Sequence, residues 1–219
     1  MRVYYLTTKE YGLSNIERKW LKASLFDDLN DPFELLAFNM SSRDQRKVWR
    51  DFRDYFTREY GLICFSSQWQ NPVMWSHYGD KHRGICLGFD VSDQILHKVR
   101  YISKRTHFQI GNTLESHGIK PELVSKAVKY KYKEWGYERE YRGMVPLQER
   151  DESGYYFVDF GEDFVLKEVL IGARCKLIPQ DFHEKLSEYS HKVEVKKTRL
   201  AFQSFKVVLD RSVEKYKNA

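Results

Sequence analysis

A chain of 219 residues has the length of one large domain and buries enough surface to fold without a metal or disulfide staple. With 42% hydrophobic and 31% charged residues, 12 Gly and 5 Pro, it is globular in composition, which excludes collagen-like, low-complexity and disordered classes. The formal charge of +6, a pI near 9.0 and 16% aromatic residues point toward nucleic acid or nucleotides as partners, or simply to a solvated basic surface with an aromatic core.

In chain order, Val3 to Thr8 reads as a first strand, and Leu13, Ile16, Trp20 and Leu21 follow a helical period with Ser14 as its cap. Ala23 to Phe26 fits a short strand before the Asx-rich loop Asp27 to Pro32. Arg43 to Tyr60 is expected to be a helix with Val48, Phe52, Tyr55 and Phe56 on its apolar face and Gly61 at its end. Leu62 to Phe65 and Gly84 to Phe89 read as buried strands, and Pro121 to Tyr132 as a helix. Tyr141 to Val145, Tyr155 to Phe160, Phe164 to Ile171, Val193 to Val195 and Phe205 to Leu209 follow as strands, with a helix over Pro179 to Tyr189. Helices scattered among many strands, without a βαβ rhythm, imply an α+β protein with one domain over 1–219.

No apolar run approaches the roughly 20 residues of a membrane span, and Met1 to Tyr5 lacks a signal-peptide core, so a cytoplasmic location is expected. Cys64, Cys86 and Cys175 are odd in number and far apart, unlike a disulfide framework. Segment 91–134 holds nine Lys and Arg against four Asp and Glu, and 192–219 holds eight against three. Segment 148–168 reverses the balance, with two against seven. The two basic blocks are candidate nucleic-acid contacts or solvated faces.

Three constellations carry possible chemistry. Met74 to Gly84 packs Trp75, His77, Tyr78, Asp80 and His82 into eleven residues, and on a helical turn Trp75 and Tyr78 would flank a planar ring or plug the core. His77 and His82 with Cys64 and Cys86 have only weak zinc spacing. In Lys133 to Arg142, an extended chain would put Glu138, Glu140 and Arg142 on one face, either as a salt-bridge ladder or as a carboxylate pair suited to glycosyl chemistry. Asn30 to Glu34 is a proline-rigidified loop whose Asp31 and Glu34 are placed to bind a ligand or a cation or, as the preferred reading, to brace their neighbouring backbone amides. Walker, GxSxG and HExxH patterns are absent from the sequence.

Together, Asn-Asp-Pro-Phe-Glu at 30–34, Cys-Phe-Ser at 64–66, Met-Trp-Ser-His-Tyr at 74–78, His-Arg-Gly-Ile-Cys-Leu-Gly-Phe-Asp at 82–90, the Trp135 to Arg142 motif and Val-Leu-Ile-Gly at 169–172 resemble the bacterial family catalogued as domain of unknown function 2971. Those motifs fall within about 1–175, leaving 176–219 for a C-terminal helix and strands. The opening Val3 to Thr8, then Gly12 to Ile16, is similar to bacterial ADP-ribosyltransferases that modify nucleic acid, with Tyr5 where histidine is commonest. That resemblance implies split, mostly antiparallel sheets flanked by helices and NAD as substrate. It assigns Tyr5, Thr7, Trp75, Tyr78 and Arg142 to NAD binding and Glu140, Glu138 and His77 to catalysis, in a toxin or phage-defence effector acting on nucleic acid or protein. Two alternatives stand beside it: a metal-dependent nuclease or nucleotide hydrolase using Asp31, Glu34, Glu138 and Glu140 with His77 or His82, and a non-catalytic nucleic-acid-binding module.

Overall fold

The computed structural model describes residues 1–107 and 121–212. Its elements in chain order are β1 (Arg2–Thr7), α1 (Lys9–Arg18), β2 (Trp20–Ala23), β3 (Phe38–Asn39), α2 (Arg43–Glu59), β4 (Tyr60–Ser66), α3 (Pro72–His77), β5 (Ile85–Val91), β6 (Leu96–Lys98), β7 (Arg100–Ile102), β8 (Thr106–His107), α4 (Pro121–Lys129), β9 (Tyr130–Tyr132), β10 (Glu140–Pro146), β11 (Tyr156–Asp159), β12 (Phe164–Ile171), α5 (His183–Leu186), β13 (Glu194–Leu200) and β14 (Val207–Leu209). Short 3-10 turns cover Phe26–Asp28, Lys133–Glu138 and Pro179–Phe182. Among the described residues no helix is long and apolar enough to cross a membrane.

An eight-stranded sheet in the order β14-β13-β12-β5-β1-β4-β10-β6 organises the fold, antiparallel throughout except for β12 beside β13. The α+β class expected from the sequence holds, but the strands expected in split sheets are joined. The joint between β1 and β4 is a single registered pair, Tyr4 opposite Ser66, whereas β1 and β5 pair over six residues. β1 and β4 therefore part after Tyr4 along β1, where Tyr5 to Thr7 draw away from Phe65 and Cys64, and a cavity lies in that opening.

Alternation along the strands sorts the apolar residues into separate clusters. Val3 of β1, Ile63 and Phe65 of β4, Leu87 and Phe89 of β5 and Val169 of β12 form one core with Ile16 of α1. On the opposite face, Trp49, Phe52 and Phe56 of α2 pack with Leu62, Phe26, Leu35 and Phe38. A third cluster joins Leu6, Cys86 and Leu170 to Met74 and Trp75 of α3 and to Val207. The second and third clusters reach the two sides of the cavity through Leu29 and Cys64 on one, and Leu6, Met74 and Tyr78 on the other.

Local chemistry corrects several expected boundaries. The cap of α1 is Thr8, not Ser14, because its hydroxyl accepts from the Tyr11 amide; left-handed Lys19 ends the helix, so Trp20 and Leu21 enter β2, leaving Ala23 at that strand's end and Phe26 in a 3-10 turn. A reciprocal Ser42 and Gln45 capping box starts α2. It stops at Glu59, with Tyr60 and Gly61 already in β4, and its buried stripe is Trp49, Phe52 and Phe56, leaving Tyr55 exposed. The helix expected over Pro121 to Tyr132 stops at Lys129, and that over Pro179 to Tyr189 is a 3-10 turn followed by four helical residues.

After α3, Asp80, Lys81 and His82 are all left-handed, at φ of 44°, 52° and 71°. Arg83 pairs with Asp80, the His82 amide donates to the Trp75 carbonyl and its carbonyl accepts from Arg174, which holds this costly conformation closed. Gly84 then lets the chain pass against β1: a Cβ there would sit 2.1 Å from the Thr7 carbonyl oxygen and 3.0 Å from Gly79 backbone. Backbone on both sides cannot yield as a side chain would. Gly84→Ala is expected to cost roughly 1–3 kcal/mol, read as a lower urea midpoint at unchanged slope.

Candidate functional site

The cavity at the parting of β1 and β4 measures about 340 Å³. Tyr4 to Thr7 line it from β1 with Thr8 just beyond, Cys64 to Ser66 from β4, Met74 and His77 from α3 with Tyr78 at its C-cap, and Asp28 to Asn30 from the Asx-rich loop. Lys131, Glu138 and Glu140 form its polar wall.

That wall is not one extended strand, as expected, because Glu138 closes a 3-10 turn and left-handed Arg139 (φ 48°) reverses the chain before β10 begins at Glu140. The turn is anchored by the end of β4 and the segment that follows it. Ser66 Oγ donates to the Glu138 carbonyl at 2.6 Å, Gln68 and Asn71 side chains donate to the Tyr137 carbonyl, and the Ser67 amide donates to Arg139. The Glu140 amide donates to the Tyr101 hydroxyl at 2.8 Å.

Three carboxylates and two cations meet there, all buried. Lys131 Nζ donates to Glu138 Oε2 at 2.7 Å and to Glu140 Oε2 at 2.9 Å, with Glu34 Oε1 at 3.6 Å. Arg142 Nη1 and Nη2 grip Glu34 at 2.9 and 2.7 Å, Nε donates to Glu140 Oε1 at 2.8 Å, and Nη1 also reaches the Val128 carbonyl. The Tyr78 hydroxyl donates to Glu138 Oε1. Buried charges are tolerable only in such a mutually satisfied set.

The two catalytic candidates are thereby driven apart. Burial raises the Glu138 carboxyl above the usual range, against the pull of Lys131. Burial acts the same way on Glu140, but Arg142 and Lys131 overcome it and bring its pKa down to about 2. Burial alone would lower Lys131; Glu140, Glu138 and Glu34 hold it raised. Tyr78 is raised by burial and by Glu138, so it stays a donor, and burial with Cys64 nearby pushes Tyr5 up to about 12.

A sign follows for acid stability. Glu140 falls from an ordinary 4.5 to about 2 on folding, so its contribution is present above about pH 4.5 and lost as pH drops toward about 2. Glu138 has the opposite sign, because a raised carboxyl loses its contribution as pH rises through the folded value. The stability gap between wild type and Glu140→Gln is therefore expected to narrow steadily from about pH 5 to about pH 2.5, measured by urea unfolding at each pH.

The structure brings Tyr5, Thr7, His77, Tyr78, Glu138 and Glu140 to one cavity. Trp75 and Arg142, expected to contact NAD, stand elsewhere. Trp75 is 0% exposed, donates Nε1–H to the Trp69 carbonyl at 2.6 Å and lies parallel to His82, so it plugs the core beneath α3. Arg142 is likewise 0% exposed, its guanidinium consumed by Glu34, Glu140 and Val128. Glu34 does not brace its loop but forms this ion pair, whereas Asp31 does brace, accepting from the Phe33 amide at 2.9 Å.

Lys131 is the residue that sequence reasoning missed, because it was placed in a helix and a basic surface block. Its signal is the alternation Tyr130-Lys131-Tyr132 on β9, paired in parallel with β7, which turns the lysine inward. Its ammonium occupies the space among the carboxylates that a metal-dependent nuclease would give to a divalent ion. Among the described residues no group of three or more His, Cys, Asp or Glu is placed to hold a metal, and the three cysteines are free.

The basic blocks are also partly internal. Lys196 pairs with Glu168 and Glu194, and Lys197 donates to the carbonyls of Gly172, Cys175 and Leu177. Lys120, Lys215 and Lys217 lie outside the described residues.

No curated protein and no solved structure matches the chain. Residues 74–143, which run from α3 through the polar wall to Gly143, match the family described as "Protein of unknown function (DUF2971)", in keeping with the motif resemblance.

Proposed function

We propose that the protein is an NAD-dependent enzyme of the ADP-ribosyltransferase type, with this cavity receiving the nicotinamide-ribose end of NAD. The observation that carries the proposal is Glu138: a carboxyl of raised pKa on the cavity wall, hydrogen-bonded to Tyr78, beside a second carboxylate held ionised by two buried cations. A volume near 340 Å³ suits half a dinucleotide.

In the transfer, the bond between the ribose anomeric carbon and the nicotinamide nitrogen breaks and its electron pair leaves with nicotinamide. Positive charge develops at that carbon, where a fixed carboxylate stabilises it. Glu138 holds a ribose hydroxyl and takes the proton of the attacking acceptor, so atoms and charge balance. Glu140, saturated by Arg142 and Lys131, positions Lys131 and thereby Glu138. His77, exposed on α3 and edge-on to Tyr137, stands at the cavity to meet ribose or phosphate oxygens.

Incubation with labelled NAD and either total nucleic acid or cell lysate is expected to give labelled product or free nicotinamide. Neither product from folded wild-type protein would overturn the proposal.

A further inference from the structure

A second cavity, of about 260 Å³, shares Tyr5 and Thr7 with the first and extends between α1 and the two-stranded sheet of β2 and β11. Asn15, only 5% exposed, lines it and has no side-chain hydrogen bond among the described residues. Arg18 and Lys22 pair with no carboxylate among the described residues. Arg18 instead lies 4.9 Å over the Trp20 ring and Lys22 lies 3.9 Å over Tyr155. The carboxylate of the lining, Asp151, is turned to its own loop, where Oδ1 accepts from the Ser153 and Tyr155 amides.

Arg18 is exposed and Lys22 half-buried, and both line the cavity with their charges unpaired by any carboxylate among the described residues. An anion with several acceptor oxygens pairs with both. A phosphate ester supplies them, and Arg and Lys are the side chains best suited to hold it. At the rim Tyr11 is 66% exposed, offering a ring face to a base or sugar. Trp20 cannot serve as that platform, since Phe157 stacks on it at 3.9 Å and Arg18 covers the other side.

We propose that this second cavity binds a nucleoside monophosphate unit, its phosphate between Arg18 and Lys22 and its base on Tyr11. It is separate from the NAD reading of the first cavity, although a nucleotide held there would lie across β1 from the Glu138 wall.

The test is calorimetric titration of the intact protein with AMP, adenosine and inorganic phosphate. AMP is expected to bind at one site, at least ten-fold tighter than adenosine. An Arg18→Ala, Lys22→Ala variant is expected to lose at least ten-fold in AMP affinity with its melting temperature unchanged, and Tyr11→Ala to weaken AMP but not phosphate. Glu138→Gln, in the first cavity, is expected to bind AMP as wild type does, so failure here is distinguishable from failure of NAD turnover. AMP no tighter than adenosine, phosphate as tight as AMP, or equal loss in Glu138→Gln would each overturn the assignment.

Discussion

Arg142→Met is expected to destabilise the protein by about 3–5 kcal/mol, the largest effect of any substitution considered for this chain. Methionine fills much of the volume, so packing is not the main loss. What remains is Glu34 without either of its guanidinium bonds, Glu140 with Lys131 as its remaining cation, and the Val128 carbonyl without its donor. The wild-type guanidinium is 0% exposed and water does not replace it. Lysine is not a conservative substitute, because a point charge cannot span Glu34, Glu140 and Val128 at once. Arg142→Lys should therefore recover only part of the loss. Urea denaturation at neutral pH measures both variants; a cost below about 1 kcal/mol for Arg142→Met would show that the network contributes no net stability.

Glu138→Gln is expected to lower NAD turnover by about 10²–10³-fold at a smaller cost in stability than Glu140→Gln, because it removes one carboxylate from Lys131 and none from Arg142. The amide preserves the shape of the turn and still accepts from Tyr78, but it cannot take a proton from an acceptor or stabilise positive charge. Glu140→Gln should also lose activity, and in addition stability, because it removes a partner of both Arg142 and Lys131. The two variants thus separate a residue that meets the ligand from one that positions it. Single-turnover release of nicotinamide, with melting temperature measured alongside, is the assay. Equal stability loss in both, or undiminished turnover in Glu138→Gln, would reverse the roles.

Much of the fold was legible because it obeys local rules. β12 falls exactly where its apolar alternation places it, Phe164–Ile171, and α2 differs from its expected span by one residue at the end. Of the cavity residues, His77 and Tyr78 stand out by chemical type, whereas Tyr5 and Thr7 rest on the resemblance of the first strand. Sidedness was harder to read, because an indole in a polar-looking turn can face inward, as Trp75 does, and residue type alone carries no direction. Long-range pairing was harder still. Glu34 and Arg142 are 108 positions apart, and nothing in either segment announces the other. Lys131 was obscured because a three-residue strand directly following a helix has too few positions to establish a period.

The buried network also constrains how such a chain can diverge. Glu34, Lys131, Glu138, Glu140 and Arg142 come from a loop, a short strand, a 3-10 turn and a sheet strand, yet every member is ion-paired with at least one other. Changing one member alone strands a buried charge, so viable descendants keep the set or exchange several members together. Distant kin of this chain should therefore be sought by a co-varying pattern, an acidic residue near 34, a cation near 131 and Glu-x-Glu-x-Arg at 138–142, rather than by overall identity.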